Sequence, residues 1–181
     1  MKYVEPIRGK CEIGRVKKFL ARRSKRDLLL FLLGINSGLR ISDILKLKVK
    51  DVQNVDFIEI KEQKTQKYKR FPIANSYKCL LNDFVKDKSF EEWLFKSRKG
   101  NKPITRIQAY RIINDACNKI GINTKIGTHT LRKTFGYHFY QEKKDIALLQ
   151  TIFNHSTPTV TLRYIGINQD MIDSNLKSFS L

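Results

Sequence analysis

Between Asp27 and Asn36 the chain reads Leu-Leu-Leu-Phe-Leu-Leu-Gly-Ile, a helix-length run that is apolar on every face. Such a helix has no side to offer to water, so other elements must surround it, and the fold is committed to being built around it. The run is far shorter than the ~20 residues a bilayer span requires, so its burial is within protein. A length of 181 residues suits one domain, and a hydrophobic content of 41% is enough for a core.

Around that run the pattern is mainly helical. Arg15–Leu20 reads as a short helix, and Asn36-Ser37-Gly38 ends the central one before Leu39–Leu45 starts another helical stretch. Val55–Ile60 alternates apolar and polar, which predicts a half-buried strand. Arg70–Ile73 is its partner across the polar loop Glu62–Tyr68, with Pro72 confined to an edge or an end. Tyr77, Leu80, Leu81, Phe84 and Val85 share one helical face. Thr105 and Gln108 form a capping box ahead of a helix whose apolar positions are Ile107, Tyr110, Ile113 and Cys117. Ile146, Leu149, Ile152 and Phe153 mark a further amphipathic helix, and Thr157-Pro158 caps a short one running through Tyr164. The predicted fold class is mainly α with a small antiparallel β-sheet.

Charge narrows the function. Lys and Arg number 36 against 17 acidic residues, a net +19, which disfavours strongly acidic calcium-binding proteins and points to a polyanion, nucleic acid before an anionic membrane. Ten basic residues lie in Met1–Arg26, five in Lys61–Arg70 and six in Lys96–Arg111. Three separate runs suit a surface that follows a phosphate backbone. From these runs and the neighbourhood of Arg132, the backbone candidates are Lys67, Lys69, Arg70, Arg98, Lys99, Arg106 and Lys133. Met1–Lys10 lacks the apolar region of a signal peptide. Cys11, Cys79 and Cys117 are odd in number and widely spaced, with no C-x-x-C pair, so neither a zinc site nor a disulfide framework is expected and a reducing cytoplasm fits. No phosphate-cradling G-x-x-x-x-G-K-[ST] loop suggests ATP use, and no carboxylate cluster suggests a magnesium pair.

His129 and Arg132 stand three apart, on one face of a helix, and can together bind a phosphate. Alone that pair is weak, and a capping or surface pair is the more common reading; alone His155 is a helix cap, Tyr164 a core residue, Arg40 a surface arginine and Lys64 a solvated one. Their order changes the weighing. Arg40 in Ser37-Gly38-Leu39-Arg40-Ile41-Ser42-Asp43, Lys64 in the hairpin, His129-x-x-Arg132, Asn154-His155 and Tyr164 together resemble the catalytic domain of the tyrosine recombinases, the phage and transposon integrases. Lys69-Arg70-Phe71-Pro72-Ile73 is similar to that family's hairpin, and Trp93–Arg98 to the strand-like segment before its next helix.

The resemblance implies roles. Tyr164 would be the nucleophile, forming a 3′-phosphotyrosyl link to double-stranded DNA. Arg40 and Arg132 would clamp the scissile phosphate, and Lys64 would protonate the leaving 5′ oxygen. His129 would assist proton transfer, His155 would hydrogen-bond the phosphate, and Asp43 would be an orienting residue. The residue chemistry is consistent with this. A phenol of pKa ~10 costs about 4 kcal/mol to ionise at pH 7 and needs a base or cations. Such a reaction takes neither metal nor ATP, because the phosphotyrosyl bond conserves the energy of the broken one.

The expectation is one catalytic domain over 1–181, with a basic segment over about 1–25 and no separate N-terminal core-binding domain. Partners would be DNA and further copies of the chain, as a dimer or tetramer in a synapse, in the cytoplasm and on the nucleoid, with no membrane involved. The tail 165–181, with Met171, Ile172, Leu176 and Phe179, docks either on its own domain or on a neighbouring subunit. The competing reading is a non-catalytic DNA-binding protein in which Asp145–Tyr164 forms a helix-turn-helix, although its second helix has only Arg163 as a base-reading cation.

Overall fold

A computed structural model describes residues 4–61, 68–167 and 176–179. Its elements are α1 (Lys10–Arg23), α2 (Lys25–Ser37), α3 (Ile41–Ile44), β1 (Phe57–Lys61), β2 (Tyr68–Pro72), α4 (Asn75–Val85), α5 (Arg106–Lys119), α6 (Thr130–Lys143), α7 (Ile146–Phe153) and α8 (Pro158–Ile165). The class is the predicted one, helices around a two-stranded antiparallel sheet. No helix among the described residues is long and apolar enough to cross a membrane.

α2 is the hub. Leu29, Leu30, Phe31 and Leu33 are fully buried, and α1, α3, α4, α5 and α6 all pack on it. Ser24 caps its start, accepting from the Asp27 amide. Its end is set by Gly38 at φ 64°, a left-handed conformation that side chains avoid. A Cβ there would also fall 2.7 Å from the Phe135 ring, so glycine is required twice over.

The N-terminal segment is not a loose basic arm. The helix forecast over Arg15–Leu20 runs over Lys10–Arg23 and turns Val16 and Leu20 inward, leaving most of its cations outside. Ahead of it, buried Ile7 is held at both its backbone groups by α6: its amide donates to Thr134 Oγ1 at 2.9 Å, and its carbonyl accepts from His138 Nε2, also at 2.9 Å.

The hairpin pairs Ile58 with Phe71, both buried, and Pro72 ends its strand opposite Phe57. The reciprocal cap of Thr105 and Gln108 forms as expected, at 2.8 and 3.1 Å. The face of α5 differs from the forecast. Ile113 and Cys117 are buried, but Ala109 and Ala116 complete the face, while Ile107 (63% exposed) and Tyr110 (39%) lie outside it. Weighting large apolar residues misses a helix that approaches its neighbours through alanine. The segment after α4 is mostly turns and bends rather than a strand, with isolated bridges that pair Trp93 with Lys48 and Lys96 with Pro103.

Two apolar clusters result. The larger surrounds α2; the smaller, Leu149, Phe153, Ile165 and Ile167, lies under α6, α7 and α8. The joint between α2 and α6 is close: a Cβ on Gly34 would lie 2.9 Å from Leu131 Cβ. Gly34→Ala is therefore expected to lower stability by about 1–3 kcal/mol through overpacking, read as a lower urea midpoint with unchanged slope.

Candidate active site

Tyr164 sits in the last turn of α8, half-buried, where Thr157 accepts from the Val160 amide at 3.2 Å and Pro158 occupies the first helical position. Its hydroxyl lies 3.3 Å from His129 Nδ1. His129 is the residue just before the first turn of α6, and Arg132 follows within that turn. The predicted three-residue spacing thus brings both to the tyrosine, from a helix entrance rather than a helix face.

Arg132 is only 3% exposed. Its guanidinium donates to the carbonyl of Gly38, at the end of α2, and at 2.8 Å to the carbonyl of Phe153, at the end of α7. It also stacks over the Phe153 ring, 4.3 Å from its centre. One side chain therefore ties the large core to the small cluster and remains next to the tyrosine.

The two proton-bearing groups are perturbed in opposite senses. Burial raises the Tyr164 pKa above 10.0, opposed by the charges of Arg132 and Arg40 and by a hydrogen bond from Arg132. Burial lowers the His129 pKa below 6.5, and the positive charges of Arg132, Arg106, Lys133 and Arg40 lower it further. His129 as a whole is exposed, but its Nδ1 edge lies against the phenol. The imidazole is thus neutral at pH 7 and able to accept the phenolic proton.

His155 follows α7 by two residues, where Asn154 turns the chain at φ 53°. Its ring stands edge-on to Tyr164, 5.1 Å between centres, and its Nδ1 is 3.1 Å from Thr161 Oγ1. Gln150 holds its backbone, accepting from the His155 amide and donating to its carbonyl, each at 3.1 Å. Arg40 precedes α3, half-buried, and its charge reaches both Tyr164 and His129. Asp43, 4% exposed, lies one turn later on the side of the hairpin, beside Glu59 and Lys61.

Lys64 and Lys67 lie outside the described residues. Lys69 donates to the Ile152 carbonyl and so fastens β2 to the end of α7, beside Phe153 and His155. Arg70 covers the Phe57 ring at 3.7 Å on the outer face of the hairpin. Arg98 and Lys99 are exposed and line an open groove that also includes Arg23, Arg26 and Arg111. Arg106 is exposed at the start of α5, and its charge reaches His129. Lys133 departs from its expected place on the surface. It is 5% exposed, with Nζ 5.3 Å from the centre of the Tyr164 ring, because it points inward from the same helical turn as Arg132. Sequence reasoning missed that contact, the Phe153 platform, Thr161 and the groove residues Arg23, Arg26 and Arg111; the last three carried a signal in lying within the basic runs. Among the described residues no group of three His, Cys, Asp or Glu is placed to hold a metal ion.

A helical domain that brings a tyrosine, two histidines and a buried arginine to one point invites comparison with known proteins. Residues 10–171 match the model of the phage integrase family. The probable integrase/recombinase YoeC of Bacillus subtilis is 53% identical over 179 residues, spanning 99% of this chain and 98% of that one. A tyrosine recombinase of Pseudothermotoga lettingae is 29% identical over 167 residues, 90% of this chain but 57% of that protein. Among solved structures, the XerH site-specific recombinase bound to palindromic difH substrate superposes with a TM-score of 0.75 at 21% identity, covering 96% of this chain and 53% of that one. The chain belongs to the phage integrase family, the tyrosine-type site-specific recombinases. It matches YoeC nearly end to end and spans little more than half of the two longer proteins.

The depressed His129 pKa has a definite sign. Protonation opposes folding, so this residue reduces stability as pH falls from the ordinary histidine value through the folded one. NMR titration is expected to place the His129 midpoint below 6.5, and Arg106→Ala to move it upward by removing one of the facing cations.

Proposed function

We propose that the chain cleaves and rejoins duplex DNA site-specifically through a 3′-phosphotyrosyl intermediate on Tyr164. The observation that carries this reading is the approach of the Tyr164 hydroxyl to His129 Nδ1, 3.3 Å, beside the buried guanidinium of Arg132.

In the proposed step the Tyr164 oxygen attacks the phosphorus and its proton passes to neutral His129. The bond from phosphorus to the 5′ oxygen breaks, and Lys64 protonates that oxygen. Arg40 and Arg132 stabilise the added negative charge of the pentacoordinate state. Arg132 has five N–H donors, so anchoring to two carbonyls is compatible with contacts to tyrosine and phosphate. His155 hydrogen-bonds a phosphate oxygen, and Asp43 helps set the arginine-bearing turn. Religation is the reverse, with a 5′ hydroxyl as nucleophile, so the sequence of steps consumes no ATP.

Arg98, Lys99, Arg106 and Arg70 serve as backbone contacts. Because recombination joins two duplexes, the proposal includes self-association on DNA as a dimer or tetramer, in the cytoplasm and on the nucleoid. The helix-turn-helix reading is weaker: the helix it assigns to the major groove is α8, which instead presents Tyr164 to His129 and packs on α6 and α7.

A nicked suicide duplex carrying candidate sites from the DNA flanking the gene tests the reading. Wild type should give an SDS-resistant adduct, and Tyr164→Phe should bind DNA equally and give none. An adduct that persists in Tyr164→Phe overturns the nucleophile assignment, and binding without any wild-type adduct overturns the activity. Arg40→Ala is the cleaner probe of the clamp, since Arg132 also holds the fold together. It should slow cleavage by about 10²-fold or more with little loss of affinity. Binding itself should weaken with salt, with a log–log slope of about −0.9 per phosphate neutralised.

A further inference from the structure

We propose that Thr161 is a positioning residue for the reaction. It fixes His155 as the tautomer protonated at Nδ1 and leaves Nε2 as the ring atom that meets the phosphate. The inference rests on the proposed role of His155 and adds to it a residue and a protonation state.

Thr161 lies in the middle of α8, fully buried, one turn before Tyr164. Its hydroxyl is 3.2 Å from the Thr157 carbonyl, four residues back, and 3.1 Å from His155 Nδ1. The hydroxyl is shielded from water, and its partners are these two groups. A hydroxyl has one proton and two lone pairs. The carbonyl can only accept, and the back-bond to residue i−4 is the usual destination for a helical threonine proton. The Thr157 carbonyl receives the Thr161 amide as well, at 3.3 Å, which its two lone pairs accommodate. The hydroxyl then has only lone pairs to offer His155, so Nδ1 must carry the hydrogen.

This contact does more than pack the ring. His155 follows a left-handed residue in the connection between α7 and α8, so its imidazole is oriented by side-chain contacts and not by a place in a helix or strand. Phe153 and Tyr164 meet it edge-on, at 5.3 and 5.1 Å between centres, which confines its plane but does not choose between its two nitrogens. The Thr161 hydroxyl makes that choice. It does so from the helix that carries the nucleophile, so the two groups that would act on one phosphate are referenced to the same eight-residue element. The neutral ring then presents Nε2 as an acceptor, and the charged ring presents it as a donor.

The chain contains three histidines, so long-range ¹H–¹⁵N correlation spectra can assign each ring nitrogen. Above the histidine titration, wild-type His155 should be protonated at Nδ1 and unprotonated at Nε2. Thr161→Val keeps the shape and removes the hydroxyl. It should populate the other tautomer and cut the rate of adduct formation about tenfold or more, with DNA affinity unchanged. Thr161→Ser should restore both. A wild-type His155 protonated at Nε2 overturns the proposal, as does a Thr161→Val protein with wild-type tautomer and rate. Should Thr161→Val fail to fold, the wild-type spectrum and Thr161→Ser still decide. If wild type binds DNA but forms no adduct, the recombinase reading fails while the tautomer measurement still tests Thr161 separately.

Discussion

The rest of the structure depends on a cation buried between two cores. The Arg132 guanidinium takes the Gly38 carbonyl from the end of α2 and the Phe153 carbonyl from the end of α7, and lies on the Phe153 ring. Each carbonyl is the orphaned acceptor of a helix terminus, which must be satisfied by something. Meeting two of them with one arginine locks the small α6–α7–α8 cluster to the α2 hub. The charge is tolerated at 3% exposure because the helix ends offer it partial negative charge. The group that would bind the scissile phosphate is therefore also the group that aligns the elements carrying Tyr164 and His155, so position and function cannot be separated at this residue.

The electrostatics of the site follow from that choice. Burial and the charges of Arg132, Arg106, Lys133 and Arg40 make the imidazole of His129 hard to protonate, while burial raises the Tyr164 pKa against the opposing pull of Arg132 and Arg40. The proton rests on the phenol. On the proposed reading, an incoming phosphate offsets the cations that depress His129, so the base gains strength as substrate arrives.

Much of the architecture was legible from the order of residues. The run after Asp27 could only be a central helix, and Gly38 ends it as the sequence indicates, while the Ser24 cap at its start was seen only in the structure. The cap of α5, the proline start of α8 and the two strands of the hairpin all rest on local chemistry acting over a few residues, while the pairing of Ile58 with Phe71 came from the fold. The inner face of α5 was read less well, because Ala109 and Ala116 carry no strong hydrophobic signal yet are buried there. Lys133 was read as a surface cation, since a lysine inside a protein depends on neighbours from other parts of the chain, here the ring of Tyr164.

The residue types of the site and their order along the chain were determined by sequence alone: Arg40, His129, Arg132, His155 and Tyr164 form a pattern that needs no coordinates to be noticed. Tertiary structure decided which of them touch and through what. That the Tyr164 hydroxyl lies against His129, that Arg132 is a buried tie between helix ends, and that Thr161 stands behind His155 are all contacts between parts of the chain brought together by packing. A hydrogen bond has a direction and a reach of about 3 Å, and neither is encoded in spacing along a chain. Both are set only when the two cores close on the same guanidinium.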